Sequence, residues 1–375
     1  MHRRERFSYL SQMRTNRAPI RGCCKTLIAS PFCIESSYVE ERLFGREGEL
    51  PLTATARVLS RSVVLVPERP LSSGCFAIAL MCIAACSPWP ALVCQTASPD
   101  TSHFAYDAST PLDLRQVSTE KRGRVTIQEI TYASPRGGMV PASLVIPGGS
   151  GKFAAVIWAH WLMPNATNSN RSEFLEEAIA LAPAGVVSLL IDAPQARPGF
   201  KATPNPALVA QQVVDLRRAV DLLLSRPDVD PKRIAYVGHS WDAGTGAILD
   251  ALDKRFTAFV FMSGPQSTRQ YVLSSDSPRM VSMRKGVDMA KVEQTLQTNA
   301  WADPASYAGQ LGPAAALFQY GLHDEDWVPL QDAKDYFAMS SGPKEVKFYD
   351  SDHALTQGAE QDRDEFLKKH LDLTP

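Results

Sequence analysis

The sequence predicts an α/β domain: a mostly parallel central sheet with helices on both faces and a short cap insertion. Three observations carry this. Short, almost wholly apolar runs recur from residue 154 onward (AAVIWAH, VVSLLIDAP, RIAYVGHS, FTAFVFMSG, AAALFQYG). A strand buried on both faces reads as such a run, without polar alternation. Segments of helical periodicity lie between several of them, most clearly PALVAQQVVDLRRAVDLLLS, where Val209, Val213, Leu216, Val220 and Leu223 share one stripe. Strands alternating with helices in this way form a parallel sheet joined by crossovers.

Taken in order, a polar linker (SPDTSHFAYDAST) precedes VTIQEITYAS and MVPASLVIP, which read as paired strands joined at a Gly137-Gly138 turn. AAVIWAH (154–160) is a buried strand, followed by an Asn/Ser-rich loop expected to cap the helix SEFLEEAIALAPA, where Phe174, Ala178, Leu181 and Ala182 share a face. VVSLLIDAP is the next strand and the Val209 helix follows it. RIAYVGHS breaks into a turn and the short helix GTGAILDALD, and FTAFVFMSG is again a buried strand. Residues 266–312 read as irregular and polar, a cap between two core strands. Its Met280, Met283, Met289, Trp301 and Tyr307 either line an apolar acyl site or simply pack. AAALFQYG and EVKFYD close the strand series before the amphipathic helix DRDEFLKKHL.

Composition divides the 375 residues near residue 97. All seven cysteines lie at or before Cys94, which excludes a cysteine nucleophile, a thiolate metal site and a disulfide framework from the rest. Residues 1–97 hold 12 Lys+Arg against 7 Asp+Glu, leaving 27 against 33 for the remainder. An acidic remainder lacks the basic excess of a nucleic-acid binder. Residues 1–74 show neither strand alternation nor a helical stripe, whereas Cys75–Ala85 (CFAIALMCIAA) is almost wholly apolar and follows Arg69. At about a dozen residues the run is too short to span a bilayer core of about 30 Å and suits a signal-peptide core. Residues 75–97 are therefore expected to export the protein to the periplasm or medium. Two processing routes fit: a lipobox-type cut that frees Cys86 for lipidation and membrane attachment, or ordinary cleavage near Ala97. Residues 1–74 then lie upstream of where a signal belongs and are expected to precede the true start.

The chemistry centres on RIAYVGHSWDAG. A serine on a tight strand-to-helix turn projects its hydroxyl above the sheet edge, and the next amide, that of Trp241, faces the oxygen of whatever Ser240 attacks. The bland alternative is a serine that only caps the helix. A serine hydroxyl needs a base and an orienting carboxylate. His353, in KFYDSDHAL after the last strand, fits the base. His2, His103 and His370 lie in the leader, the linker and the terminal helix. The acid is expected after the penultimate strand, where ALFQYGLHDEDWVP offers Asp324 and Asp326.

With these residues in hand, the chain resembles the α/β-hydrolase family, and within it the dienelactone-hydrolase-like branch of exported serine esterases. The resemblance rests on LVIP, VIWAH, LLIDAP, RPDVDPKRIAYVGHS, YGLHDEDWVP and DHAL, and spans roughly residues 104–372. It implies Asp324, in a G-x-x-D turn, as the acid. It places the oxyanion hole at the amides of Trp241 and Leu162, with Trp161 as fallback, and makes His160 a loop organiser, His323 a structural or pocket-lining residue and His239 a side chain near the pocket floor. Two positions depart from the pattern: Asp242 replaces the second glycine of G-x-S-x-G, and Trp161 the glycine of His-Gly. Asp242 is expected to point away from the pocket with its charge paired or solvated, while Gly244 and Gly246 absorb the crowding. Dienelactone hydrolases proper carry a cysteine nucleophile, and prolyl-oligopeptidase-type enzymes a propeller for which residues 98–125 are too short.

The resulting expectation is a serine hydrolase acting on a small-molecule carboxylic ester, with no cofactor, metal or nucleic-acid partner. The alternatives are a transacylase or amidase/peptidase with the same residues, and a non-catalytic exported binding protein that keeps the fold. N-terminal sequencing of the mature protein is expected to find a start at Cys86 or near Ala97; retention of residues 1–74 overturns the reading of the leader.

Overall fold

The computed structural model of the protein describes residues 98–201 and 205–373; the leader (1–74) and the signal segment (75–97) lie outside the described residues. Along the chain run β1 (Arg115–Arg122), β2 (Val125–Ala133), β3 (Met139–Ile146), β4 (Phe153–Ala159), α1 (Leu175–Leu181), β5 (Val186–Ile191), α2 (Asn205–Ser225), β6 (Val229–His239), α3 (Trp241–Leu252) and β7 (Ala258–Met262). Then follow α4 (Thr268–Ser274), α5 (Pro278–Met283), α6 (Met289–Thr298), β8 (Ala315–Gly321), α7 (Leu330–Met339), β9 (Lys344–Tyr349) and α8 (Gln357–His370). The strands form one sheet in the order β1-β2-β3-β5-β4-β6-β7-β8-β9. Its first three ladders are antiparallel and every pairing from β5 onward is parallel. No described helix is long and apolar enough to cross a membrane.

The central strands are apolar throughout because each face meets a different core. Ala155, Ile157 and Ala159 of β4 join Leu216 and Val220 of α2, Ala247 of α3 and Tyr336 of α7 on one side. Ala154, Val156 and Trp158 join Leu181 of α1 and Phe366 and Leu367 of α8 on the other. Each buried valine, leucine, isoleucine or phenylalanine among them contributes up to about 1.5–3 kcal/mol, an upper bound set by the extended-chain reference. The α2 stripe is buried along its length, Val209 and Val213 beneath Phe104 and Tyr307, Leu216 to Leu223 against the sheet.

Four elements differ from expectation. The strand β1 was not foreseen; all eight of its residues are exposed, so it has no apolar face to betray it. Helix α1 has Phe174 at its N-cap and no side-chain cap, so the Asn/Ser-rich loop does not cap it. Residues 266–312 are not irregular: α4, α5 and α6 start on Ser267, Ser277 and Asp288, each accepting a backbone N–H of its first turn. Helix α7 stands where no helix was expected and buries Ala333 and Tyr336.

Within 266–312, Tyr307 is fully buried among Phe104, Val209, Val213 and Ile248, and its hydroxyl donates to the Trp301 carbonyl at 2.8 Å. Trp301 itself stacks on His103 at 3.8 Å. These two aromatic residues pack the domain and do not line an acyl site. The segment is tied to the loop after β8: Tyr271 and Ser277 hydroxyls both donate to the Asp326 carbonyl, and the Gln266 amide to that of Trp327.

At the junction of β6 and α3, Tyr236 fills the space that the two elements leave between them. Its hydroxyl donates to the Asp242 carbonyl at 2.7 Å. A Cβ at Gly246 would stand 2.3 Å from the Tyr236 ring and one at Gly238 2.5 Å from the Asp242 carbonyl, so these two glycines let strand and helix approach. Asp242 points away from the sheet edge, but its carboxylate is neither paired with a cation nor solvated. It is fully buried, and its Oδ1 accepts from Gln212 Nε2 at 2.9 Å and Thr245 Oγ1 at 2.6 Å. Burial pushes its pKa up from 3.8 to about 7, against the two hydrogen bonds that hold it down.

Two predictions follow from this packing. Gly246→Ala forces the Tyr236 ring aside and is expected to destabilise the domain by about 1–3 kcal/mol, read as a lower thermal midpoint. Between the unfolded and folded pKa of Asp242 the folded state holds the extra proton, so this residue's contribution to stability falls as pH rises from about 4 to about 7. Asp242→Asn is therefore expected to melt above the parent at pH 8, the gap closing by pH 4. Buried Asp250, pushed to about 6, titrates in the same direction in both proteins and leaves the difference to Asp242.

Candidate active site

Strand β6 lies mid-sheet, with β4 and β7 as neighbours, and ends one residue before Ser240. Ser240 has φ 57° and ψ −115°, a left-handed backbone that is uncommon for a side chain other than glycine. Hydrogen bonds hold the turn on both sides. The Ser240 N–H donates to the Met262 carbonyl of β7 at 2.7 Å, and its carbonyl accepts from the amides of Ala243 and Gly244 at 3.0 and 3.2 Å. Its side chain makes no capping bond to α3, which removes the bland alternative.

The hydroxyl instead meets His353 Nε2 at 2.7 Å. The other ring nitrogen, Nδ1, lies 2.5 Å from Asp324 Oδ2. With a carboxylate on Nδ1, that nitrogen carries the hydrogen and Nε2 is left to accept from Ser240. Asp324 is 4% exposed and its second oxygen accepts from the Trp327 amide at 3.1 Å. Glu325 and Asp326 are exposed. Of the two carboxylates open at the sequence level, Asp324 is thus the one that meets His353.

The loops bearing Asp324 and His353 leave the adjacent ends of β8 and β9. They come close because Gly321 ends β8: a Cβ there would stand 2.3 Å from the Asp352 carbonyl. The His353 carbonyl is itself held twice, by Ser263 Oγ at 2.7 Å and His239 Nε2 at 3.0 Å. The Trp327 ring lies 5.8 Å from the His353 ring and carries the Arg279 guanidinium 4.3 Å over its face.

On the other flank the loop after β4 runs beside the serine turn, its Trp161 ring stacked 4.9 Å from that of His239. The Trp161 amide donates to Glu173 Oε2 at 2.7 Å, so it is not free to meet an oxyanion. Among the described residues the amides of Leu162 and Trp241 donate to nothing. His160 is buried; its Nδ1 donates to the Trp161 carbonyl at 2.6 Å and its Nε2 accepts from the Ala193 amide at 2.9 Å. Burial holds its pKa below the ordinary value.

Two further histidines complete the surroundings. His323 is exposed and pairs with Asp350 at 2.6 Å, away from the pocket-lining place considered for it. His239 is buried, with Nδ1 2.5 Å from Glu173 Oε1. Glu173 escaped the sequence reading because it is one acid among three in SEFLEE, and nothing in that spacing marks it. No group of three His, Cys, Asp or Glu side chains among the described residues is arranged to hold a metal ion.

No protein-family model matches the sequence, and no curated protein matches it. Solved structures do. The acetyl xylan esterase from Paenibacillus sp. R4 is 22% identical with a TM-score of 0.59, the match covering 69% of this chain and 89% of that one. Acetyl xylan esterase 1 from Thermoanaerobacterium sp. JW/SL YS485 is 15% identical with a TM-score of 0.58, over 70% and 89%. A prolyl endopeptidase aligns at 17% identity and a TM-score of 0.52 over 67% of this chain but only 39% of its own. The mixed sheet, its strand order and these likenesses agree: the protein has the α/β-hydrolase fold.

Proposed function

We propose that the protein is a serine hydrolase that cleaves carboxylic esters through an acyl-enzyme on Ser240. The observation that carries this is the unbroken run of hydrogen bonds from Ser240 Oγ through His353 to buried Asp324, with the serine on a positive-φ turn at the sheet edge. His353 Nε2 takes the hydroxyl proton as Oγ attacks the acyl carbon. The tetrahedral oxygen accepts from the amides of Trp241 and Leu162, which have no other partner among the described residues. The intermediate collapses, the ester bond breaks, and His353 returns the proton to the departing alcohol. Water then repeats the sequence on the acyl-enzyme, releasing the acid and restoring Ser240. Asp324 holds His353 in the tautomer that accepts. Two solved structures that share the fold are named as acetyl xylan esterases, which makes short acyl esters the first substrates to offer.

Labelling by a fluorophosphonate probe is expected for the parent protein and absent in Ser240→Ala. On an acyl-ester panel Asp324→Asn is expected to lose about 10⁴-fold in kcat, whereas Asp326→Asn stays within about threefold of the parent. A well-folded protein that neither labels nor hydrolyses any ester of the panel overturns the proposal and favours a binding protein.

A further inference from the structure

We infer that Glu173 and His239 form a second carboxylate–imidazole pair whose role is to position the catalytic loops. The inference rests on the proposed roles of Ser240 and His353. The pair joins three segments of the site, beside the direct contact of Ser240 with His353. Glu173 Oε2 accepts the Trp161 amide at 2.7 Å, one residue before the free amide of Leu162. Glu173 Oε1 meets His239 Nδ1 at 2.5 Å, and His239 adjoins Ser240 in the chain. His239 Nε2 reaches the His353 carbonyl at 3.0 Å. The oxyanion loop, the nucleophile turn and the base loop are therefore each touched by one pair of side chains, 9% and 2% exposed.

The chemistry of the partners fixes what the pair does. A backbone carbonyl only accepts, so His239 Nε2 must carry hydrogen. The Trp161 N–H only donates, so Glu173 Oε2 must accept. One proton then lies between Glu173 Oε1 and His239 Nδ1, and the pair is neutral as a whole whichever atom holds it. Such a pair sits beside the reacting centre without adding net charge to it. The His239 ring stacks with Trp161 at 4.9 Å and with His353 at 5.5 Å, contacts that bear on its plane as the hydrogen bonds bear on its ends. Neither residue reaches the reacting atoms. Glu173 and His239 are positioning residues, and their loss displaces groups whose placement catalysis needs, an error that costs about 100-fold when it reaches 1 Å.

Three substitutions test this in kinetics on a short acyl ester, each checked for a cooperative melt. Glu173→Leu removes both contacts and is expected to lower kcat about 100-fold with KM within about threefold of the parent. Glu173→Gln keeps an acceptor for the Trp161 amide and a donor for His239 Nδ1, and is expected to recover at least tenfold of that loss. Glu173→Asp withdraws the carboxylate by one methylene and is expected to fall between them; it carries the test should the leucine variant not fold. Folded Leu or Asp variants within threefold of the parent in kcat, a loss confined to KM, or no recovery by Gln overturn the inference. A parent protein that neither hydrolyses esters nor reacts with the fluorophosphonate overturns the proposed function instead, so the two failures are told apart.

Discussion

The structure is organised around one backbone constraint, the left-handed turn at Ser240. A non-glycine residue held at positive φ costs on the order of 1–3 kcal/mol and persists only where its surroundings over-determine it. Here the turn is fixed from the Met262 carbonyl of β7 on one side and by the first-turn amides of α3 on the other. Because β6 lies at the middle of the sheet, every other group of the site has a neighbouring strand to arrive on. The strand β4 delivers the loop of Trp161 and Leu162 from one flank. β8 and β9, two and three strands away on the other, deliver Asp324 and His353.

The tight strand–helix junction explains how the site tolerates an aspartate where the sequence pattern has glycine. The close approach is served by Gly238 and by Gly246 against Tyr236, the latter one turn further along α3, leaving the Asp242 position free to carry a side chain. That side chain turns toward Gln212 of α2 and Thr245 of its own helix. Burial pushes its pKa up to about 7, so the side chain brings less charge to this junction than an exposed aspartate would. The departure in the motif is thus a change in which residue supplies the space and how the added polarity is satisfied.

What the sequence made legible follows from burial. Strands covered on both faces, the α2 stripe and the serine turn carry patterns that such surroundings produce; the turn singled out Ser240, and the order Ser, acid, His pointed to His353, which the structure brings to its hydroxyl. The resemblance implied Asp324 over Asp326 through its G-x-x-D turn, and it is the Asp324 carboxylate that meets His353. The β1 strand was invisible because no face of it is apolar. The helices of 266–312 were missed although their signals were present: Ser277-Pro278 is an N-cap followed by proline at the first helical position, and Asp288 opens α6. Helices α4 and α5 are too short to develop a stripe and α6 buries only Val292 and Leu296, so the polarity of the segment outweighed its caps. Glu173 lay beyond reach because its role comes from three segments that only the fold brings together.

The exposed strand β1 also bears on what the sheet does at its boundary. An open sheet ends in rows of unpaired backbone groups that invite another chain to add a strand. Here one outermost strand reads RQVSTEKR and is exposed at every position, with Arg115, Glu120, Lys121 and Arg122 along it. The opposite edge, β9, carries Lys344, Glu345 and Lys347. Charge therefore lines both margins. A second molecule approaching either edge would have to desolvate those groups to form a ladder, which guards a large, otherwise apolar sheet against self-association into fibrous aggregates.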